Sequence, residues 1–178
     1  MMQKLVLSLT LFRILAAPFI FISAIFLENY WLAFWVFNIA ALTDYFDGKL
    51  ARTYQVESRL GAILDPIGDK LLVLFTLITV IVFTQDIYIA LMGAFILARE
   101  FWVSALREYA SAQDNSKATT VTFMAKTKTT LQFIALSMFF LGAAADLAIV
   151  IFLANFLLLI SVLLSLKSAL YYTQKTFL

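Results

Sequence analysis

Asp44-Tyr-Phe-Asp47-Gly48-Lys-Leu-Ala51-Arg52, then eight residues, then Gly61-Ala-Ile-Leu-Asp65-Pro-Ile-Gly-Asp69: this stretch sets four carboxylates into the ends of two long apolar runs. A lone Asp at a bilayer centre costs about 2.5–3.5 kcal/mol on insertion scales, so four in one short stretch need a compensating partner. Divalent cations are the natural one. Asp44 and Asp47 are three apart and Asp65 and Asp69 four apart, so on helices each pair shares one face. Two such faces meeting at one depth make a cage for two hard cations that can clamp a diphosphate. Gly48 and Ala51, with Gly61 and Gly68 on the next run, remove side-chain bulk and let a ligand or helix approach the backbone. Arg52 adds a forked cation suited to phosphate oxygens. The competing reading pairs these carboxylates with their neighbours Lys49, Arg52, Arg59 and Lys70.

The rest of the chain says where such a site would sit. Of 178 residues, 63% are hydrophobic and 13% charged, and the mean hydropathy is +0.96. A soluble domain has about a quarter of its residues charged, so the composition is that of an integral membrane protein, read as one membrane domain over residues 1–178. There is no cysteine and no histidine, which excludes disulfides, thiolate nucleophiles and zinc held by Cys or His. A metal would need oxygen ligands, as magnesium, manganese and calcium do. No nucleic-acid partner is expected; the lipid bilayer is.

Six stretches are long and apolar enough to span: Leu7–Leu27, Trp31–Leu50, Gly61–Thr84, Ile87–Leu106, Phe123–Gly142 and Leu147–Leu166. The expected fold is therefore all-α, an integral membrane bundle of six transmembrane helices. Glu28-Asn29, Gln85-Asp86 and Asp146 mark connections on one side, without Lys or Arg. The N-terminus, Thr53–Leu60, Ala110–Thr122, the C-terminus and the adjoining helix ends hold all 13 basic residues. By the positive-inside rule both termini and the carboxylate cluster face the cytoplasm. The first run exceeds a signal-peptide core and is interrupted by Arg13 and Pro18, so it is read as a retained span. Met1–Phe12 is expected to include a short interfacial helix. Tyr30, Trp31 and Trp35 read as outer interfacial anchors, Tyr171 and Tyr172 as inner ones.

The spacing DxxDGxxAR, eight residues, GxxxDxxxD resembles the signature of the CDP-alcohol phosphotransferase family, matched at Asp44, Asp47, Gly48, Ala51, Arg52, Gly61, Asp65 and Asp69. The resemblance implies a six-span, homodimeric enzyme of the cell inner membrane with a two-metal site, using two Mg2+ or Mn2+ ions. It implies metal ligation by Asp44, Asp47, Asp65 and Asp69, with Asp69 also the catalytic base. It further implies CDP binding at Asp44, Gly48, Ala51, Arg52 and Gly61, and an apolar groove for the donor's acyl tails, expected between the second, third and fourth spans.

Further blocks are similar to the branch of this family whose acceptor is glycerol 3-phosphate: Leu9-Thr10-Leu11-Phe12-Arg13, Leu64–Lys70, Ala98-Arg99-Glu100, Ser104–Glu108 and Lys126–Thr130. They imply transfer of a phosphatidyl group from CDP-diacylglycerol to glycerol 3-phosphate, giving phosphatidylglycerophosphate and CMP in phospholipid biosynthesis. Arg99, Arg107, Lys126 and Lys128 are the cations available for the acceptor phosphate; the alternative makes them topology anchors, or partners of Glu100 and Glu108. Leu7 stands where the family often has Asn, and Gly68 where Ala is common. Other acceptors (phosphatidylglycerol, serine or an inositol phosphate) are the alternatives within the family. A cation-transport protein is the alternative outside it, and the scarcity of charge in the outer halves of the spans speaks against a conduction path.

Overall fold

The computed structural model describes residues 2–54, 59–113 and 123–177, and these are helical almost throughout. Six α helices follow in order: α1 Met2–Phe21, α2 Tyr30–Tyr54, α3 Arg59–Thr84, α4 Ile87–Ala112, α5 Phe123–Ala144 and α6 Ala148–Phe177. One wider turn, a π helix over Ile22–Phe26, extends α1. The helix ends coincide with the polar breaks in the apolar runs. Asn29 Oδ1 accepts from the Leu32 amide at 2.9 Å and Asp86 Oδ1 from the Tyr88 amide at 2.7 Å, so each side chain satisfies a backbone donor at the start of α2 and α4. Ahead of them, and again before α6, the chain reverses through a left-handed residue: Glu28 (φ 50°), Gln85 (φ 50°) and Asp146 (φ 54°). That conformation closes a helix C-terminus but favours glycine. The helix ends that these three corners join meet in the bundle, where Phe83 contacts both Tyr30 and Phe140.

Packing is densest where side chains are small. Ala16, Ala17, Ala24, Ala33 and Ala40 are buried where α1 meets α2 and α3, which lets the helix backbones approach closely. α5 and α6 form a tight hairpin: a methyl group on Gly142 would lie 2.6 Å from Ile151 Cγ1 and 3.1 Å from the Ile151 amide nitrogen. Phe37, Phe139 and Phe140 fill the centre, with Phe37 stacked on Phe133 at 5.6 Å. Asn38 and Ser137 exchange hydrogen bonds of 2.9 and 3.1 Å between α2 and α5, satisfying a polar pair in this apolar surrounding.

Large apolar side chains such as Leu15, Phe26, Phe152, Phe156 and Leu163 point outward, as suits a lipid-facing surface. Among the described residues four helical segments have the length and composition to cross a membrane: Leu7–Phe26, Ile63–Thr84, Ile87–Ala112 and Ala148–Phe177. α2 adds a shorter apolar segment, Tyr30–Thr43, while α5 opens with the polar run Thr127–Thr130. The chain is a multi-pass membrane protein.

Three expectations are revised. α1 runs unbroken from Met2, so the opening residues continue the first span's helix instead of forming a separate interfacial one. Tyr172 is buried between α4 and α6 and is no interfacial anchor. Tyr30 turns inward, edge-on to Phe83 at 5.3 Å, while Trp31 and Trp35 remain exposed.

Candidate active site

Asp65 and Asp69 lie one turn apart on α3 and both are held by Arg13 of α1. Arg13 Nη1 donates to Asp69 Oδ1 at 2.5 Å, and Nη2 donates to Asp65 Oδ1. The guanidinium has no exposed surface, whereas each carboxylate keeps 45% of its side-chain surface. The fork therefore grips the pair from the inside and leaves its outer side accessible. α1 and α3 pack intimately here, and Gly68 faces Ile14 Cγ1 at 3.5 Å and the Thr10 carbonyl at 3.7 Å. Those are ordinary contact distances, so the alanine common at this position in the family would also fit. A cation thus reaches these two carboxylates from 52 and 56 residues away; the side chains of Lys49, Arg52 and Arg59, named in the local-pairing reading, lie outside the described residues. A lone arginine in an apolar run is itself the signal, since it must find a partner before it is buried.

The other half of the expected cage is on α2. The side chains of Asp44, Asp47, Gly48, Ala51 and Arg52 lie outside the described residues, as does that of Lys126, but the α2 backbone runs through positions 44–52 to Tyr54. Asp44 and Asp47 fall 10 and 7 residues before the end of α2; Asp65 and Asp69 fall 6 and 10 residues after the start of α3. At about 1.5 Å of rise per residue the two pairs stand at matching distances from the same end. Gly61, half-buried, lies in the first turn of α3. An oxygen-only donor set on one accessible helix face suits hard divalent cations, and Asp65 Oδ2 has no hydrogen bond among the described residues.

A second charged cluster joins α4, α5 and α6. Glu100 Oε1 accepts from Lys128 Nζ and, at 3.0 Å, from Arg99 Nη1. Arg99 also donates to the Ser165 carbonyl at 3.3 Å and to Ser168 Oγ at 3.1 Å. Two turns along α4, Arg107 donates to Tyr172 Oη at 3.1 Å and lies over the same ring, 5.1 Å from its centroid. Arg99 and Lys128 are 6% and 3% exposed, so they are interior cations and not interfacial anchors. Arg107 meets Tyr172, not Glu108. The adjacency of Arg99 and Glu100 in the sequence predicts their pairing, whereas the sharing of one Glu100 oxygen by two cations leaves no mark on local spacing.

Between the two clusters lies a cavity of about 320 Å³, within the lower range of small-molecule sites. Its walls are largely apolar (Ile67, Leu71, Leu74, Leu97, Phe101 and Phe133), and Asp69, Lys70, Glu100, Thr129 and Gln132 supply polar groups. It lies among α3, α4 and α5; the groove expected between the second, third and fourth spans draws on the end of α2, whose side chains lie outside the described residues. Helix adjacency of this kind is decided by packing and leaves no mark on local spacing.

Comparison with known proteins bears on the family. Residues 6–167 match the CDP-alcohol phosphatidyltransferase family. A CDP-diacylglycerol–glycerol-3-phosphate 3-phosphatidyltransferase of Cereibacter sphaeroides is 39% identical over 142 residues, 78% of this chain and 63% of the relative. The protein of the same name from Escherichia coli K12 is 39% identical over 132 residues, 72% of each chain. The chain thus spans somewhat under two thirds of the first relative and nearly three quarters of the second. With the motif spacing, the carboxylate pair on α3 and the match over nearly its whole length, the chain belongs to the CDP-alcohol phosphatidyltransferase family.

Proposed function

We propose that this enzyme transfers the phosphatidyl group of CDP-diacylglycerol to glycerol 3-phosphate, giving phosphatidylglycerophosphate and CMP. The observation that carries the reading is an imbalance of buried charge. Arg99 and Lys128, both buried, share one carboxylate, Glu100, beside a cavity that reaches Asp69, and half-buried Arg107 lies two turns along α4. Interior cations in excess attract an anion, and the acceptor named in the relatives carries a phosphate dianion. Lys126, two residues before Lys128, would add to this site.

Asp44, Asp47, Asp65 and Asp69 would hold two divalent cations, Mg2+ or Mn2+, which when bound supply Lewis acidity and neutralise the donor diphosphate. Gly48, Ala51 and Gly61 would admit the cytidine, with Asp44 beside it and Arg52 near its phosphates. Asp69, half-exposed on the cavity wall, takes the proton from the acceptor hydroxyl. That oxygen forms the new bond to the lipid-side phosphorus, the diphosphate bond breaks, and CMP leaves with its electron pair. Arg13 keeps the Asp65 and Asp69 carboxylates aligned from within, and the apolar cavity walls accept the donor's hydrocarbon. The grouping of all basic residues at one end supports a six-span bundle in the inner membrane with both termini and the site on the cytoplasmic side. The working unit is a homodimer.

The test is acceptor-dependent CMP release by purified protein given CDP-diacylglycerol and magnesium, with glycerol 3-phosphate, serine, inositol phosphate or phosphatidylglycerol in turn. Release with glycerol 3-phosphate alone, absent in Asp69→Asn and after chelation of metal, is expected. Release with a different acceptor keeps the family and overturns the substrate.

A further inference from the structure

What the cavity meets at the acceptor end is an anion. Arg99 and Lys128 are almost wholly covered, while the Glu100 side chain keeps 28% of its surface and lines the cavity together with Asp69. Its Oε1 sits where two cations converge, and its Oε2 has no hydrogen bond among the described residues. A carboxylate oxygen shared by an ammonium and a guanidinium occupies the position that a phosphate oxygen would take on the same donors.

We propose that Glu100 is a specificity-determining residue, the resident anion of the acceptor site, which the acceptor phosphate must displace. The proposal rests on the acceptor reading given above. Without acceptor, Glu100 prevents Arg99 and Lys128 from standing unpaired in a desolvated site, where a lone charge is costly. With acceptor, a dianion gains more from the three cations Arg99, Lys128 and Arg107 than the monoanion it replaces, so exchange goes forward. A singly charged phosphodiester has no such advantage over a carboxylate, and a neutral alcohol has none at all. Glu100 thereby sets a charge threshold, discriminating by a built-in competitor as well as by attraction. Its carboxylate also repels any anion that fails to displace it, keeping the cavity beside Asp69 clear of singly charged solutes.

The experiment uses the full chain in lipid–detergent micelles with CDP-diacylglycerol and magnesium, and compares wild type, Glu100→Gln and Glu100→Asp. The acceptors are glycerol 3-phosphate and its methyl phosphodiester; inorganic phosphate serves as competitive inhibitor. Removing the competitor removes the fraction of sites it occupies, so Glu100→Gln is expected to lower KM for glycerol 3-phosphate about three- to tenfold, with kcat within about twofold. The inhibition constant of inorganic phosphate falls by a similar factor, and the preference for the dianionic over the monoanionic acceptor shrinks. Glu100→Asp, whose shorter arm holds the cations less well, moves KM the same way by a smaller factor and decides the matter should the glutamine variant not fold. A raised KM, or an unchanged charge preference in a folded variant, overturns the proposal and leaves Glu100 a structural counter-ion. Wild type that does not use glycerol 3-phosphate instead overturns the acceptor reading itself.

Discussion

Arg13 Nη1 lies 2.5 Å from Asp69 Oδ1, and the arginine contributing that bond has no exposed surface while the aspartate keeps nearly half of its own. The first helix is thus part of the proposed reaction centre, although the signature motif lies entirely on the second and third.

Arg13→Ala is expected to lower the stability of the solubilised protein by about 2–3 kcal/mol, below the loss for a fully buried pair because both carboxylates stay half-exposed. Turnover falls at least about a hundredfold, since Asp65 and Asp69 lose their common anchor. Arg13→Lys keeps the charge but cannot fork to both carboxylates; it recovers most of the stability and little of the activity. Thermal unfolding and CMP release, measured side by side, check both statements.

Arg107→Gln leaves the fold intact and raises KM for glycerol 3-phosphate by about tenfold or more with little change in kcat, as expected when a charged contact made equally in ground and transition states is removed. Tyr172→Phe keeps the ring beneath Arg107 and loses only the phenolic acceptor, so its effect on KM is several times smaller. Initial-rate kinetics over a range of acceptor concentrations distinguish the two.

The α5–α6 hairpin has no room for a side chain at position 142. Gly142→Ala is expected to destabilise by about 1–3 kcal/mol through overpacking against Ile151, and Ile151→Ala in the same chain restores part of the loss. Gly68→Ala, which meets only ordinary contact distances, leaves stability and activity near wild type. Unfolding midpoints of the three variants are the measurement.

At the left-handed corners, Glu28→Gly and Gln85→Gly each relieve a conformation that side-chain-bearing residues disfavour by about 1–2 kcal/mol, partly offset by the extra freedom glycine gains on unfolding. A net gain of about 0.5–1 kcal/mol is expected, seen as a higher unfolding midpoint with unchanged kinetics.

Much of this architecture is legible in the sequence. Gln85-Asp86 divides α3 from α4 at the residues where the hydropathy breaks, because a polar pair with a carboxylate able to cap the next helix is both an interruption and a start signal. The carboxylate spacing places Asp65 and Asp69 on one helix face for the same geometric reason. What crosses the bundle is not legible. Arg13 looks like a defect in the first span until α1 is laid against α3. Tyr172 looks like an interfacial ring until Arg107 is found over it. The cavity takes its walls from α5 because of how the helices settle against one another, which periodicity along a single segment does not encode. The π turn at Ile22–Phe26 likewise has no marker in its apolar sequence.

The three corners at Glu28, Gln85 and Asp146 carry a consequence for how the molecule is made. Each joins two apolar helices through two or three residues, too few for one helix to shift far without the other. Among the described residues the helices are thus tied into three pairs, α1–α2, α3–α4 and α5–α6, and the members of each pair are constrained to settle into the bundle together. The first two pairs hold the aspartates, and the third supplies Thr129, Gln132 and Phe133 to the cavity walled by α3 and α4. The cavity is complete only once that last pair has docked, so a chain truncated before α5 is expected to lack it.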